Sequence, residues 1–437
     1  MNPFASDATR ASQLPVEILS SIFILCEHTW DTDSSDPKKY YACQLSLPAV
    51  CHRWRNIALD TTTLWTRVTI ANDVPHNLLE LFLSRSGSAP LDISIRMTRS
   101  IEDLDDGLAA ETSAKGICAF LDRHCPPSRW LTFKLEVNCS FAFYPLTTYF
   151  FTNKSNFPSL RSLELVFTSS YPLDSNYSSL GEDTYDSELV FSETQNKLQL
   201  LRIYGRFSPY VFGTSFHKYL TNLVHLELHF SAEYEWYDHV RNTPAAHLLS
   251  KDPMSSEVAK ALEIPKIYMP MLTTLSFSAV SSSIWVLDYL LTLDAPNITA
   301  FELTFGKEPL KRMSGGREAI RQLVNYIATT DPFGATMKPK PLFPSLKDLN
   351  YSSQGNHSQE DLETLLLGYP QIKSLVLPKC STLHSLIYLA PELVQLTVRV
   401  KDANELRDLL IKRREAGIPL KVVRAYYPQT RTSSPVT

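Results

Sequence analysis

The sequence predicts a mixed α + α/β chain: a small N-terminal helical unit, then an irregular solenoid of strand–helix repeats with a parallel sheet on its concave side. Three observations carry this expectation. An apolar frame, Leu-x-x-Leu-x-Leu, recurs between Trp130 and Val398, and in six copies a proline stands two positions before its first apolar residue. Proline outnumbers glycine, 28 to 13, the reverse of what glycine-cradled phosphate sites and doubly wound sheets require. Finally, the first seventy residues hold short helical stretches with more apolar surface than they can bury among themselves.

Composition narrows the function classes. At 44% hydrophobic and 20% charged, the chain is globular and not low-complexity, and 437 residues exceed one ordinary domain. Forty-two Lys+Arg against 46 Asp+Glu leave a net charge of −4, which provides no field for attracting nucleic acid or an anionic membrane. Cys26, Cys43, Cys51, Cys118, Cys125, Cys139 and Cys380 form no CxxC pair and read as free thiols of a reducing compartment. The start, MNPFASDATRASQLP, lacks the apolar core of a leader, and no run approaches the roughly 18 apolar residues of a membrane span. The expectation is an intracellular protein, in cytoplasm or nucleus, with no nucleic-acid or membrane partner. Six Asn-x-Ser/Thr sequons run against it, at Asn138, Asn153, Asn176, Asn297, Asn350 and Asn356, and keep a secreted, glycosylated enzyme as an alternative.

The helical unit begins at Leu14-Pro15-Val16-Glu17-Ile18-Leu19. Pro15 suits a first helical position, and Glu17 complements the dipole in the first turn. Leu14, Ile18, Ile22 and Leu25 form a stripe that Leu19, Phe23 and Cys26 widen. Asp31 to Lys39 reads as a loop. A second helix is expected from Pro48, with Val50, Cys51, Trp54, Ile57 and Ala58 on one face. Asp60-Thr61-Thr62-Thr63 stops it and caps the short segment Leu64–Val68. On periodicity alone, this unit could equally be a helical cap on the next domain.

The same residues carry a resemblance. Leu14-Pro15-x-Glu17-Ile18-Leu19 with Ile22-Phe23, then Leu47-x-x-Val50-Cys51-His52-x-Trp54-Arg55-x-Ile57-Ala58, then Leu64-Trp65, resembles an F-box. The segment Leu78 to Leu91 is similar to the stretch immediately C-terminal to the F-box in the F-box families of mushroom-forming fungi. The loop from His28 to Gln44 departs from compact F-boxes by its length. The resemblance implies a docking module for the adaptor Skp1 of cullin-type ubiquitin ligases. Carried over position by position, it makes Leu14, Pro15, Ile18, Leu19, Ile22, Val50, Cys51 and Trp54 the adaptor-facing contacts and the core beneath them. Helix-in-groove association uses such surplus apolar surface.

The array lies C-terminal to this unit. Phe157-Pro-Ser-Leu160-Arg-Ser-Leu163-Glu-Leu165 is its first clear copy, and Met269, Ala295, Phe343, Tyr369 and Ala390 open the other copies with proline. Copies at Leu198 and Leu223, and a weaker one at Trp130, lack it. LxxLxL is the strand core of a leucine-rich repeat, with its apolar positions inward and the intervening residues outward. The proline is expected to end the preceding helix at no cost in ladder bonds. Helices are expected over Ile284–Leu291, Gly316–Thr329, Ser358–Gly368 and Asp402–Arg414. First-apolar positions are mostly 21 to 38 residues apart, but two gaps of 49 and 48 fit either a degenerate repeat or an insertion. An open βαβ sheet is the alternative, and it would need glycine-rich turns that this chain lacks.

Outward strand positions form the candidate recognition surface: Ser162 and Glu164, Thr274 and Ser276, Ala300 and Glu302, Asp348 and Asn350, Ser374 and Val376, and Gln395, Thr397 and Arg399. Charge and aromatic residues mix most at Arg202, Tyr204, His225, Glu227 and His229, which are the candidate contacts to a protein substrate.

Catalytic patterns do not assemble. Ser215 and Lys218 have SxxK spacing without the companion motifs. Asp103-Leu-Asp105-Asp106-Gly107 would place Ala114 where a calcium loop needs its bidentate carboxylate, and Cys118, His124 and Cys125 lack a fourth zinc ligand. Lys412-Arg413-Arg414 complements a helix C-terminus. No metal, cofactor or enzymatic activity is expected. The sequence thus divides into a flexible segment 1–12, the F-box at 13–68, a connector and repeat cap at 69–126, the array at 127–424 and a flexible tail at 425–437. It reads as a substrate-recognition subunit of an SCF-type ligase, and a ligase-independent leucine-rich scaffold remains as a further alternative.

Overall fold

The computed structural model describes residues 13–29, 41–71, 74–98, 107–152, 157–168, 197–205, 220–230, 266–280, 283–305, 316–330, 340–352, 359–377, 383–400 and 403–426. The segment 1–12, the loop Asp31–Lys39, the Asp103–Asp106 and Ser215–Lys218 patterns, and the sequons at Asn153, Asn176 and Asn356 lie outside the described residues. The chain divides into two compact units, Met1–Asp174 with Val190–Leu198, and Ser175–Leu189 with Gln199–Thr437.

The first unit opens with three helices, α1 (Val16–Thr29), α2 (Ala42–Val50) and α3 (His52–Asp60), and a 3-10 turn at Thr62–Trp65. Four parallel strands pair in chain order: β1 (Arg67–Ala71), β2 (Leu91–Met97), β3 (Trp130–Val137) and β4 (Ser162–Phe167). Helices α4 (His76–Arg85), α5 (Gly107–His124) and α6 (Ser140–Thr152) make the crossovers that parallel strands need. The register stacks Ile93 on Phe133 and Leu163, and Ile95 on Leu135 and Leu165. All of these are buried. Beneath them Phe133, Phe150 and Phe157 stack with centroids 4.8 and 4.5 Å apart. β1 straddles the boundary between the spans read as F-box and as connector and cap, and β2 lies within the latter, yet both belong to the same ladder as β3.

The second unit runs parallel through β5 (Leu200–Gly205), β6 (His225–Phe230), β8 (Thr274–Val280), β10 (Ala300–Phe305), β11 (Asp348–Ser352), β12 (Ser374–Leu377), β13 (Gln395–Arg399) and β14 (Val422–Tyr426). A minor pair, β7 (Ile267–Tyr268) and β9 (Leu293–Asp294), stands apart from this ladder. Helices α7 (Ser283–Thr292), α8 (Gly316–Thr329), α9 (Gln359–Gly368) and α10 (Ala403–Glu415) lie close to the spans expected from sequence. The molecule is therefore a helical N-terminal region followed by a large parallel sheet with helices. β6 pairs directly with β8, and β10 with β11, so the two long spacings are insertions and not degenerate strands.

The apolar frame is realised copy by copy. Leu160, Leu163 and Leu165 are buried, and so are Leu272, Leu275 and Phe277, Leu346, Leu349 and Tyr351, and their counterparts in the other copies. The proline acts otherwise than expected. It occupies the second position of a β-turn, whose fourth residue, the leading apolar one, donates its N–H back to the first: Leu160 to Phe157 at 3.2 Å, Leu346 to Phe343 at 3.0 Å, Leu393 to Ala390 at 3.2 Å. Proline's fixed φ suits that position. The proline-free copy at Leu223 makes the same turn, Leu223 to Leu220 at 3.0 Å.

Three further differences concern helices and termini. The helix expected from Pro48 starts instead at Ala42, carries Pro48 near its end and breaks at Cys51, where φ −160° and ψ 170° are extended. Pro48 lacks the N–H that would bond the Gln44 carbonyl four residues back, and beyond the break the Cys51 Sγ accepts from the Trp54 N–H at 3.5 Å to start α3. Lys412, Arg413 and Arg414 do fall in the last turn of α10, but Arg413 is 0% exposed. Its guanidinium donates to the carbonyls of Leu386, Ala390, Leu393 and Ile418, while Lys412 and Arg414 are exposed. Ala425 and Tyr426, read as the start of the tail, belong to β14.

Candidate functional site

The helical unit is held together from one side only. On α1, Leu19 and Phe23 are 1% and 0% exposed and Glu27 is buried, a spacing of four that turns this stripe inward. They meet Cys43 and Leu47 of α2, Ile57 and Ala58 of α3, and Leu64 and Trp65, all buried. Hydrogen bonds fix the packing. The Trp65 indole donates to the Ala58 carbonyl at 2.8 Å, Gln44 to the Leu64 carbonyl at 3.2 Å, and Arg53 to the Leu14 carbonyl. Arg67 ties β1 to the end of α1, with Nε 3.0 Å from Glu27 Oε1 and Nη1 donating to the Glu27 carbonyl at 3.1 Å.

Other apolar side chains of these helices have no cover among the described residues. Val16, Ile18, Ile22 and Leu25 of α1, Leu45 and Val50 of α2, and Leu59 of α3 are 36 to 62% exposed. These seven are close to half of the sixteen large apolar side chains exposed among the described residues, in a stretch of under fifty positions. Single exposed apolar residues are ordinary, but this concentration on three short helices is not. Of the residues singled out by sequence, Pro15, Ile18, Ile22, Val50 and Cys51 are exposed, Leu14 and Trp54 are half-buried, and Leu19 is core. Val16, Leu25, Leu45 and Leu59 complete the exposed set. Their signal was the surplus of apolar positions over what one buried face can use.

Two cysteines here share an environment. Burial pushes the Cys43 thiol up to about 11, and Cys26, Glu27 and a hydrogen bond with Cys26 act in the same direction.

The outward residues of β5 and β6 come together as a ladder in the second unit. Arg202 faces Glu227 in register and grips its carboxylate with two contacts, Nε 2.7 Å from Oε2 and Nη2 donating to Oε1 at 3.2 Å. The Tyr204 hydroxyl donates to the same carboxylate at 2.9 Å. His229 lies beside Tyr204, ring centroids 5.4 Å apart, and its Nδ1 is 2.7 Å from Ser278 Oγ on β8. Burial holds the His229 imidazole below the usual histidine range. His225 is half-buried on the same face. The ladder continues to Glu302, whose carboxyl is raised by burial, and by the Glu227 charge, against the lowering effect of hydrogen bonds from Ser276 and Asn350. Sequence singled out the first five residues, and Ser278 joins them through its register with His229. The ladder presents bound donors and acceptors in fixed positions, suited to recognition.

The geometry defines three N-terminal helices with an exposed apolar surface, followed by a parallel sheet with helices. Residues 11–71 match the F-box-like family, so the chain carries an F-box-like domain that spans α1–α3 and β1. Comparison with curated proteins gives no match. An F-box-like domain suggests, in general, an adaptor role in SCF-type assemblies. Among the described residues no helix is long and apolar enough to cross a membrane.

Proposed function

We propose that the chain is a substrate-recognition subunit of an SCF-type ubiquitin ligase, docking Skp1 through α1–α3 and a target protein through the outward face of the sheet. The uncovered apolar side of α1–α3 is the observation that carries this reading. Covering each half-exposed aliphatic side chain recovers on the order of 1 kcal/mol, and seven of them provide a docking energy that a solvated cap would not need. Pro15, Ile18, Ile22, Val50 and Cys51 make the contacts, joined by Val16, Leu25, Leu45 and Leu59. Leu14 and Trp54 support them from the margin, and Leu19 holds the helices together.

In this reading the sheet is a leucine-rich-repeat solenoid. Its support is the repetition of one buried triplet in every copy and of one turn at seven of them. The target is held at Arg202, Tyr204, His225, Glu227 and His229, and a cullin assembly brought in through Skp1 places ubiquitin within reach. The protein contributes proximity, raising effective concentration without a nucleophile, metal or cofactor of its own. Such a role belongs in the cytoplasm or nucleus. Asn350 stands inside β11 with its Oδ1 buried, a poor acceptor for a glycan and a point against a secreted enzyme.

Coexpression with Skp1 tests the reading. The two chains should elute together as a one-to-one complex in size-exclusion chromatography. Separate elution would favour a ligase-independent scaffold.

A further inference from the structure

A second polar surface lies in the first unit, on the outward face of β1–β4. The short side chains of Thr69 and Ser94 sit there among the longer Arg67, Arg96 and Lys134, and the difference in reach leaves a cavity of about 320 Å³. Three cross-strand rows build it. Arg67, Asp92, Thr132 and Ser162 are in register, then Thr69, Ser94, Lys134 and Glu164, then Ala71, Arg96, Glu136 and Val166.

The charges are arranged and not merely present. Arg96 Nε lies 3.1 Å from Glu136 Oε2 and Lys134 Nζ 2.8 Å from Glu164 Oε1, which fixes both cations in place. Asp92 differs. Its Oδ1 accepts from the Thr132 hydroxyl at 2.8 Å, and no cation among the described residues pairs with it. Along β2 the outward side chains therefore read acid, hydroxyl, base at Asp92, Ser94 and Arg96. Alternate residues of a strand repeat every ~6.6 Å, so the two charges stand roughly 13 Å apart.

We propose that this cavity binds an extended segment of a partner protein that runs along β2, seating a basic side chain on Asp92, a small one over Ser94 and an acidic one on Arg96. An extended segment has the same two-residue period as the strand beneath it, so one residue pattern, base-x-small-x-acid, satisfies all three positions. The volume is near the lower end for ligand sites and fits three side chains. A neutral sugar would cover Asp92 without supplying a counter-charge, which is costly. The inference deepens the reading of the chain as a recognition subunit and rests on it. Arg67, at the cavity's rim, is the residue tied to Glu27 of α1, so the segment would be gripped in the same unit that docks the adaptor.

The test is ligand-observed saturation-transfer NMR on the full chain, with the capped pentapeptide Lys-Ala-Ser-Ala-Glu as probe. Its isomer Ala-Lys-Glu-Ser-Ala, which puts the two charges on opposite faces, is the control. The first peptide should give a saturable signal and the isomer none. Asp92→Asn should weaken binding at least tenfold, and Ser94→Tyr, which fills the cavity, should abolish it, both with an unchanged thermal transition. Equal binding of the two peptides, no saturable signal, or wild-type binding by both variants would overturn the proposal. Skp1 capture, measured on the same preparations, separates the two failures. No saturable peptide signal from a wild-type chain that still captures Skp1 overturns only the cavity, whereas absence of Skp1 capture by the wild-type chain overturns the recognition-subunit reading.

Discussion

The indole of Trp54 lies 5.0 Å from the ring of Phe23, tilted by 53°. Phe23 is 0% exposed and Trp54 half-buried, so Trp54 joins the helical core to the uncovered surface and serves both. Trp54→Ala should cost about 2 kcal/mol of stability, below the ~3–5 kcal/mol of a fully buried aromatic, and should weaken adaptor docking as well. Val50→Ala should stay within ~0.5 kcal/mol of wild type while still weakening docking. Denaturant titration of both variants beside adaptor binding separates the two roles.

Arg413 should prove irreplaceable for stability. It is buried, no carboxylate among the described residues pairs with it, and its guanidinium donates to four carbonyl groups. Arg413→Met leaves those acceptors unsatisfied, and a loss of about 3 kcal/mol or more is expected. Arg413→Lys should recover little, because an ammonium cannot reach several divergent carbonyls with a planar fork. The measurement is the unfolding midpoint, with hydrogen exchange in α10 and β13 as the local readout.

Turn and strand positions of one repeat should respond very differently. The same turn bond forms without proline at Leu223, so the Leu160 to Phe157 bond should survive Pro158→Ala, which should cost no more than ~1 kcal/mol. Leu163, fully buried in the ladder, should cost about 2–5 kcal/mol when cut to alanine. Comparable losses at the two positions would contradict the assignment of proline to the turn.

The acid–base behaviour of Glu302 has a definite sign. Its folded carboxyl is raised above its ordinary value of 4.5 by burial and by Glu227. The folded state thus holds the proton more tightly, and this contribution to stability falls as pH rises through that window. Glu302→Gln should raise the melting temperature at pH 7, with the gain vanishing below about pH 4.5. A gain that persists in acid would show that packing, and not ionisation, is responsible.

How far the sequence reached depended on the kind of signal. The repeat frame was legible because its period repeats and every copy obeys the same burial rule, as Leu163, Leu275 and Leu349 show. Helix α1 was legible only as a broad stripe. Ile18, Ile22 and Leu25 are as apolar as Leu19 and Phe23, and an exposed apolar stripe looks, in one dimension, like a core. Only packing decides which of two apolar stripes turns inward. The break at Cys51 was hidden because Pro48 suits a helix start as well as a last turn. The Arg202–Glu227 grip could be guessed from outward positions, since the strand period sets them, but its extension to Ser278 depends on a register across a long insertion. The place of Arg413 in the last turn of α10 was legible, but its burial was not, because nothing local announces the carbonyls of Leu386 and Ala390 that surround it.

The central claim is that the uncovered side of α1–α3 docks an Skp1-type adaptor. Calorimetric titration of the full chain with purified Skp1 tests it most directly, using wild type and the double variant Ile18→Asp/Val50→Asp. The account predicts saturable one-to-one binding by wild type, at least a hundredfold weaker binding by the variant, and the same thermal transition for both. Absence of binding by wild type, or equal affinity in the variant, would contradict it.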